Sequence, residues 1–119
     1  MIAHDQQVLD VWLKQNWPGG VIAVGGCDAD NQPFSRVLSS DAAPQLTEEF
    51  WLSLNEAVAQ LAAYHCGEGR CVWVFETAVV HVCTRSDGAW AGVLAPRELS
   101  QSLQAAMQSR LRDFIGMSD

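Results

Sequence analysis

Positive charge is scarce in this sequence. Seven Lys and Arg stand against fourteen Asp and Glu, a formal charge of −7 over 119 residues. A surface of that sign repels nucleic-acid phosphates and acidic membrane surfaces alike, so nucleic acid is not an expected partner. Long apolar runs are missing as well. No stretch approaches the ~20 residues a spanning helix needs, and no membrane insertion is expected. The start, Met1-Ile2-Ala3-His4-Asp5, has no basic region leading into an apolar run, which predicts no secretory signal. The four cysteines, Cys27, Cys66, Cys71 and Cys83, contain no Cys-x-x-Cys pair and lack the density of a secreted disulfide framework. They read as reduced thiols in a cytoplasmic protein. Internal repeats, low-complexity tracts and linkers are also lacking, and with 49% of the chain apolar, residues 1–119 are expected to form one domain around one core.

Chemistry is thinly represented. A zinc site could draw on His65, Cys66, Cys71, His81 and Cys83, but the spacing argues against it and favours buried thiols with one satisfied histidine. Neighbouring Cys and His residues, Cys66 with His65 or Cys83 with His81, make poor nucleophile pairs without an orienting third group. Asp28 and Asp30 resemble the start of a calcium loop, yet Gln32 and Pro33 fill positions where that loop needs a ligand and a glycine. Gly25-Gly26 is followed by no Gly-Lys-Ser/Thr and opens no helix, so it is no phosphate cradle. No catalytic residue, metal or cofactor is expected. Arg36, Arg70, Arg85, Arg110 and Arg112 are read as solvated surface residues, one of which could serve a partner.

What the chain does hold is patterned apolar sequence. Val8, Leu9, Trp12 and Leu13 recur at helical spacing, which predicts a one-sided helix over 4–17 ended by Pro18-Gly19-Gly20. Val21 to Cys27 suits a strand buried on both faces, with Gly25 and Gly26 signalling a bulge or a close approach. Asp28-Ala29-Asp30-Asn31 is turn chemistry, and Pro33 to Ser39 should return as a hairpin partner. Asp41 to Gln45 reads as a loop. Thr47 caps the next helix, Glu48 and Glu49 complement its dipole, Leu46 staples onto Trp51, and Gly67 and Gly69 end it. Phe50, Trp51, Leu54, Ala57, Val58, Leu61 and Ala62 form its broad apolar face. Leu52, Ala59 and Ala63 form a lighter stripe on the far side.

Arg70 to Thr84 as one strand would run about 50 Å, far beyond ordinary length, so it must fold back near Glu76-Thr77. Ser86-Asp87-Gly88 marks a hairpin between Val79–Cys83 and Trp90–Leu94. Pro96 is placed at the first position of a closing helix carrying Leu99, Leu103, Ala106, Met107, Leu111, Phe114 and Ile115, with Gly116 as its stop. Of the tryptophans Trp12, Trp17, Trp51, Trp73 and Trp90, most should be anchors in the core or an interface, and Trp17 is the one suspected of an exposed partner contact. The order α-β-β-α-β-β-β-α, with a hairpin and a meander sharing one sheet, gives an α/β three-layer sandwich with five mainly antiparallel strands.

That order resembles the roadblock family, the dynein light chain roadblock-type domain. The resemblance covers nearly the whole chain. It rests on the helix before Pro18-Gly19-Gly20-Val21-Ile22-Ala23-Val24, the turn Asp28-Ala29-Asp30-Asn31, the long middle helix, and Asp87-Gly88-Ala89-Trp90-Ala91-Gly92-Val93-Leu94 running into the last helix. Asn31 stands where many members have Gly, and Glu76-Thr77 replaces a more obvious turn. Profilin-like sheets have a related shape, with a small-ligand sensory role as the alternative. The resemblance implies a non-enzymatic homodimer or heterodimer that holds small Ras-like GTPases or motor components, and a sheet whose two edges are Pro33 to Ser39 and Arg70 to Glu76.

The residues themselves separate those edges. Pro33, Ser35 and Arg36 discourage further pairing, whereas Cys71-Val72-Trp73-Val74-Phe75 has no proline and no charge before Glu76. Pairing of this strand with its two-fold mate, with contact between middle helices through Leu52, Ala59 and Ala63, is the expected interface of a homodimer.

Overall fold

The computed structural model describes the backbone of residues 2–38, 48–65, 69–76, 78–85 and 87–118, and side chains within 8–38, 50–60, 70–76, 78–85 and 87–117. The loop at Asp41 to Gln45, the Leu46 staple, the Thr47 cap, the Glu48 and Glu49 charges, Cys66, Gly67 and Thr77 lie outside the described residues. So do the side chains of Leu61, Ala62, Ala63 and His65.

Helix α1 (Ile2–Lys14) leads into strands β1 (Ala23–Cys27) and β2 (Pro33–Val37). Helix α2 (Glu48–His65) precedes β3 (Gly69–Val74), β4 (Ala78–Thr84) and β5 (Trp90–Pro96), and α3 (Gln101–Ile115) closes the chain with a 3-10 turn at Gly116–Ser118. All four strand pairings are antiparallel and the sheet order is β2-β1-β5-β4-β3. The first strand lies beside the last, and β2 and β3 form the edges. This is the α/β architecture expected from the element order.

Alternation along the strands sorts the core into two layers. Ala23, Cys27, Val80, Val82, Trp90 and Leu94 meet Trp51 and Val58 of α2 on one face. Val24, Cys83, Ala91, Val93 and Ala95 meet Trp12 and Leu13 of α1 and Met107, Leu111 and Phe114 of α3 on the other. The sheet is thus the middle of three layers. Burying large side chains such as Trp51, Trp90 and Phe114 contributes roughly 1.5–3 kcal/mol or more apiece. Trp51 explains the glycine in β1. A Cβ at Gly25 would fall inside the Trp51 indole, and Gly92 on β5 gives the same ring its second flat neighbour. The register through Gly25 and Gly26 is regular, so the glycine pair marks a close approach and not a bulge.

Several element ends differ from the sequence expectation for identifiable reasons. Helix α1 stops at Lys14 and not near Trp17. The Trp17 Nε1–H folds back to donate to the Leu13 carbonyl at 3.0 Å, and its ring meets Trp12 edge-on at 5.1 Å. Gly69 opens β3 and does not end α2, which stops at His65. Pro96 is the last residue of β5, paired in register with Ala78, and does not begin α3. It lies two residues past Leu94, which pairs with the first residue of β1, so its missing N–H removes no ladder bond. The helix starts later because Ser100 supplies the cap, its hydroxyl accepting from the Leu103 N–H at 3.1 Å. Asn31 takes the left-handed conformation at φ 63°, which its side chain tolerates in place of glycine.

Candidate functional site: the outer edge of strand three

The phase of the β3–β4 ladder decides what β3 offers to the outside. The Phe75 N–H donates to the Ala78 carbonyl at 2.8 Å, and the register runs back from there through Val74↔Val79 to Gly69↔Thr84. In an antiparallel ladder hydrogen-bonded and non-bonded pairs alternate. Phe75, Trp73 and Cys71 therefore bond inward to β4, and the backbone groups of Arg70, Val72 and Val74 point away from the sheet, where no sixth strand lies among the described residues.

Side chains alternate in the same way. Cys71 and Trp73 are half-buried against the α2 layer. Val72 and Val74 face the α1/α3 side and stay 51% and 61% exposed, while α3 packs mainly over β4 and β5. Phe75 is 40% exposed, with its ring 6.1 Å from that of Phe50 at the start of α2. The expected interface strand is thus an open edge carrying a cluster of bare apolar side chains. A patch of that kind is usually a contact surface.

The helix part of the expected interface is placed differently. Leu52, 44% exposed, and Ala59, also exposed, lie on the outer face of α2 with the exposed Glu56 between them. Helix α2 packs over β1 and β2, and Phe50 in its first turn meets Phe75 just past β3. The Ala63 side chain is outside the described residues.

The chemical candidates resolve into structural roles. Cys27 and Cys83 are buried and Cys71 is half-buried, all three as free thiols. Burial pushes the Cys83 thiol up to about 12, and its Sγ donates to the Leu111 carbonyl at 3.6 Å. Burial also raises Cys27, helped by the neighbouring Asp28, and Cys71. Thiols held protonated in this way are poor nucleophiles and poor metal ligands at neutral pH. Among the described residues no group of three or more His, Cys, Asp and Glu is arranged to hold a metal ion.

His81, expected to be hydrogen-bonded, is instead buried with no partner for Nδ1 among the described residues, and desolvation lowers its pKa. It sits directly across from Val72 in the register, under the bare edge. Sequence reasoning missed this neighbour, because the pairing register of β3 and β4 depends on a turn that composition marks weakly.

The arginines are less solvated than expected. Arg36 donates to the carbonyls of Leu13 at 3.0 Å and Gln15 at 2.9 Å, tying β2 to the end of α1. Arg110 donates to Gln15 and to the Asn16 carbonyl, and its guanidinium lies 5.5 Å from the Trp17 ring centre. Trp17 is therefore a half-buried packing residue, not an exposed contact. Arg85 pairs with Asp87 at 2.5 Å, lies over the Phe114 ring and holds the Asp87 carboxyl below its usual range. Arg70 donates to the Gln108 side chain of α3 at 2.7 Å on the exposed surface.

One shallow cleft lies between α1 and the β1–β2 turn. It has a volume of about 190 Å³ and is lined by Leu9, Asp10, Leu13, Asp28, Gln32, Pro33 and Phe34. It falls below the roughly 300–1,000 Å³ of typical small-molecule pockets and opens widely to solvent. No helix among the described residues is long and apolar enough to cross a membrane. Neither a family model nor a curated protein sequence matches the chain.

Proposed function

We propose that this chain is a non-enzymatic, cytoplasmic adaptor that works as a homodimer joined along β3, in the manner of the roadblock domains it resembles. A small Ras-like GTPase or a component of a larger assembly would be its cargo. The observation that carries the reading is the outer side of β3. Three consecutive outward positions, Arg70, Val72 and Val74, keep their full set of backbone donors and acceptors, and two of the three side chains there are bare valines. Covering each half-exposed valine contributes about 1 kcal/mol, and every new ladder hydrogen bond adds about the same. A second copy of the strand supplies both at once.

The reading is tested by mass in solution at micromolar concentration, by sedimentation equilibrium or light scattering. A dimer is expected, and Val74→Lys should return it to monomer without unfolding it, since that side chain is largely in solvent. A wild-type monomer across this range overturns the proposal. Val74 is a cleaner probe than Trp73, because the Trp73 ring is half-buried in the α2 layer and its replacement by Arg would disturb the fold as well.

A further inference from the structure

The cleft between α1 and the β1–β2 turn lies against β2, at the opposite edge of the sheet from β3, so pairing along β3 leaves it open. Its lining divides by chemistry. Leu9 and Leu13 of α1 and Pro33 and Phe34 of β2 supply apolar walls, while Asp10 on α1 and Asp28 at the turn add an acidic residue from each side. Asp28 is fixed in place, because its Oδ1 accepts the N–H groups of Asp30 and Gln32, each at 2.9 Å. No ion pair engages it among the described residues. Asp10 is bridged by Lys14 at 3.0 Å, but both side chains are more than half exposed, so exchanging that cation for another costs little. Arg36, on the same face of β2 as Phe34, is committed to the carbonyls of Leu13 and Gln15.

At about 190 Å³ the cleft is small for a free ligand but has room for one long side chain entering from solvent. Apolar walls beside two carboxylates call for an aliphatic stem with a cationic head, the division that arginine and lysine carry. Arginine fits better. Its planar guanidinium stacks on an aromatic face and reaches two carboxylates through separate N–H groups, whereas an ammonium is a compact, strongly hydrated charge. The net charge of −7 attracts a basic partner before contact is made.

We propose that this cleft docks an arginine side chain from a basic segment of a partner protein, with the stem against Leu9, Leu13 and Phe34 and the guanidinium between Asp10 and Asp28. This seat is independent of the dimer, and a monomeric chain would carry it equally.

An NMR titration of the ¹⁵N-labelled full chain with N-acetyl-arginine amide tests it. Saturable shifts should concentrate on the amides of residues 9–13 and 28–34. N-acetyl-citrulline amide, which has the same shape without the charge, should bind on the order of tenfold more weakly, and the lysine and norleucine amides should also bind more weakly. Asp10→Asn and Asp28→Asn should each reduce the affinity several-fold. The Asp28→Asn change keeps an Oδ1 acceptor for the turn, so the cleft retains its shape. Asp30→Asn removes the same unit of charge from an exposed position outside the lining, and should change the affinity by less than about twofold. Equal weakening by Asp30→Asn, or equal binding of spermidine, would reduce the effect to net charge and overturn the proposal. Citrulline or norleucine amide binding as well as arginine amide would make the seat merely apolar, and lysine amide binding as well would remove the guanidinium. Each result overturns it, as does the absence of saturable shifts at millimolar concentrations or their appearance elsewhere on the surface.

Discussion

The two edges of one sheet are built from strands of similar length, yet they treat the outside in opposite ways. On β2 the inward bonds belong to Gln32, Phe34, Arg36 and Leu38, as the Asp28–Gln32 and Leu38–Ile22 backbone hydrogen bonds fix the phase. Its outward positions are Pro33, Ser35 and Val37, and the first of these has no N–H to offer. The α1 side of β2 is also covered. Phe34 packs 6.3 Å from both Trp12 and Phe114, and Arg36 is pinned to the end of α1. On β3 the outward backbone is complete, and the valines beside it stay more than half exposed. An edge is therefore open or closed by two independent features: which residue falls at the outward phase, and how far the helix layer reaches.

The strongest way to break the contrast is to move the β2 device onto β3. Val74→Pro deletes an outward N–H without touching the ladder to β4, because Val74 does not bond inward. By symmetry a β3–β3 dimer loses two hydrogen bonds and leaves two acceptors bare, so association should weaken on the order of a hundredfold. Ser35→Pro, at the equivalent phase of β2, should leave the mass in solution unchanged. Sedimentation of the two variants side by side decides the matter, and equal loss in both would mean that β3 holds no special position.

Arg36 sharpens the comparison from the other side. Proline and serine on β2 guard the edge, but Arg36, which the sequence suggested as a third guard, bonds inward and reaches α1. Arg36→Met removes two hydrogen bonds from a cation to carbonyls at a helix C-terminus, where positive charge is favoured, and should destabilise the monomer by about 2 kcal/mol. The urea midpoint should fall while the dissociation constant of the dimer stays the same. Arg36 thus serves the fold, although it reads simply as surface charge in the sequence.

Much of this was legible beforehand. Element order and the α/β sandwich followed from apolar periodicity and from the Asp28–Asn31 and Asp87–Gly88 turns, and the identity of both edges was what the family resemblance implied. The misread residues are those whose local preference was overridden by a distant partner. Pro96 has the geometry of a helix start, but β4 claims it as a strand end. Trp17 follows a helix and was free to face solvent until Trp12 and Arg110 enclosed it. His81 and Val72 could not be paired in advance, because a one-residue change in the Glu76 turn would have put them on opposite faces. The apolar, uncharged character of Cys71 to Phe75 was visible in the sequence and its edge position was implied by the resemblance, whereas its outward phase required the Phe75–Ala78 hydrogen bond.

A smaller effect distinguishes the β3 half of the sheet in solution. His81, across from Val72, has its pKa lowered by burial, and no histidine falls within β1 or β2. When a base is depressed in the folded state, the unfolded chain takes up the proton first. The contribution of His81 is therefore complete above about pH 6.5 and declines as the pH falls through that value. Chemical unfolding at pH 7.5 and pH 5.5 should show a loss of stability on acidification that His81→Leu reduces. Replacing an imidazole whose Nδ1 is unsatisfied should not lower stability at the higher pH. An unchanged acid response in the variant would assign the loss to other groups.

The smallest expected effect comes from opening the closed edge. Pro33→Val restores an N–H at the first outward position of β2 and places a β-branched residue in line with Ser35 and Val37, giving that strand the backbone pattern that β3 already has. Cys27, its register partner, lies on a fully buried strand, so the ladder to β1 should persist and the monomer should change by only a few tenths of a kcal/mol. If backbone phase alone made an edge adhesive, the variant would now associate at both ends and grow into chains as its concentration rises. Helix coverage predicts a weaker response, because Phe34 and Arg36 remain occupied by α1 and leave only Val37, 49% exposed, as new apolar contact. Light scattering over a concentration series separates the two. A modest rise above the dimer mass at the highest concentrations is expected, and open-ended growth would show that Pro33, not the α1 layer, is what keeps this sheet closed on one side.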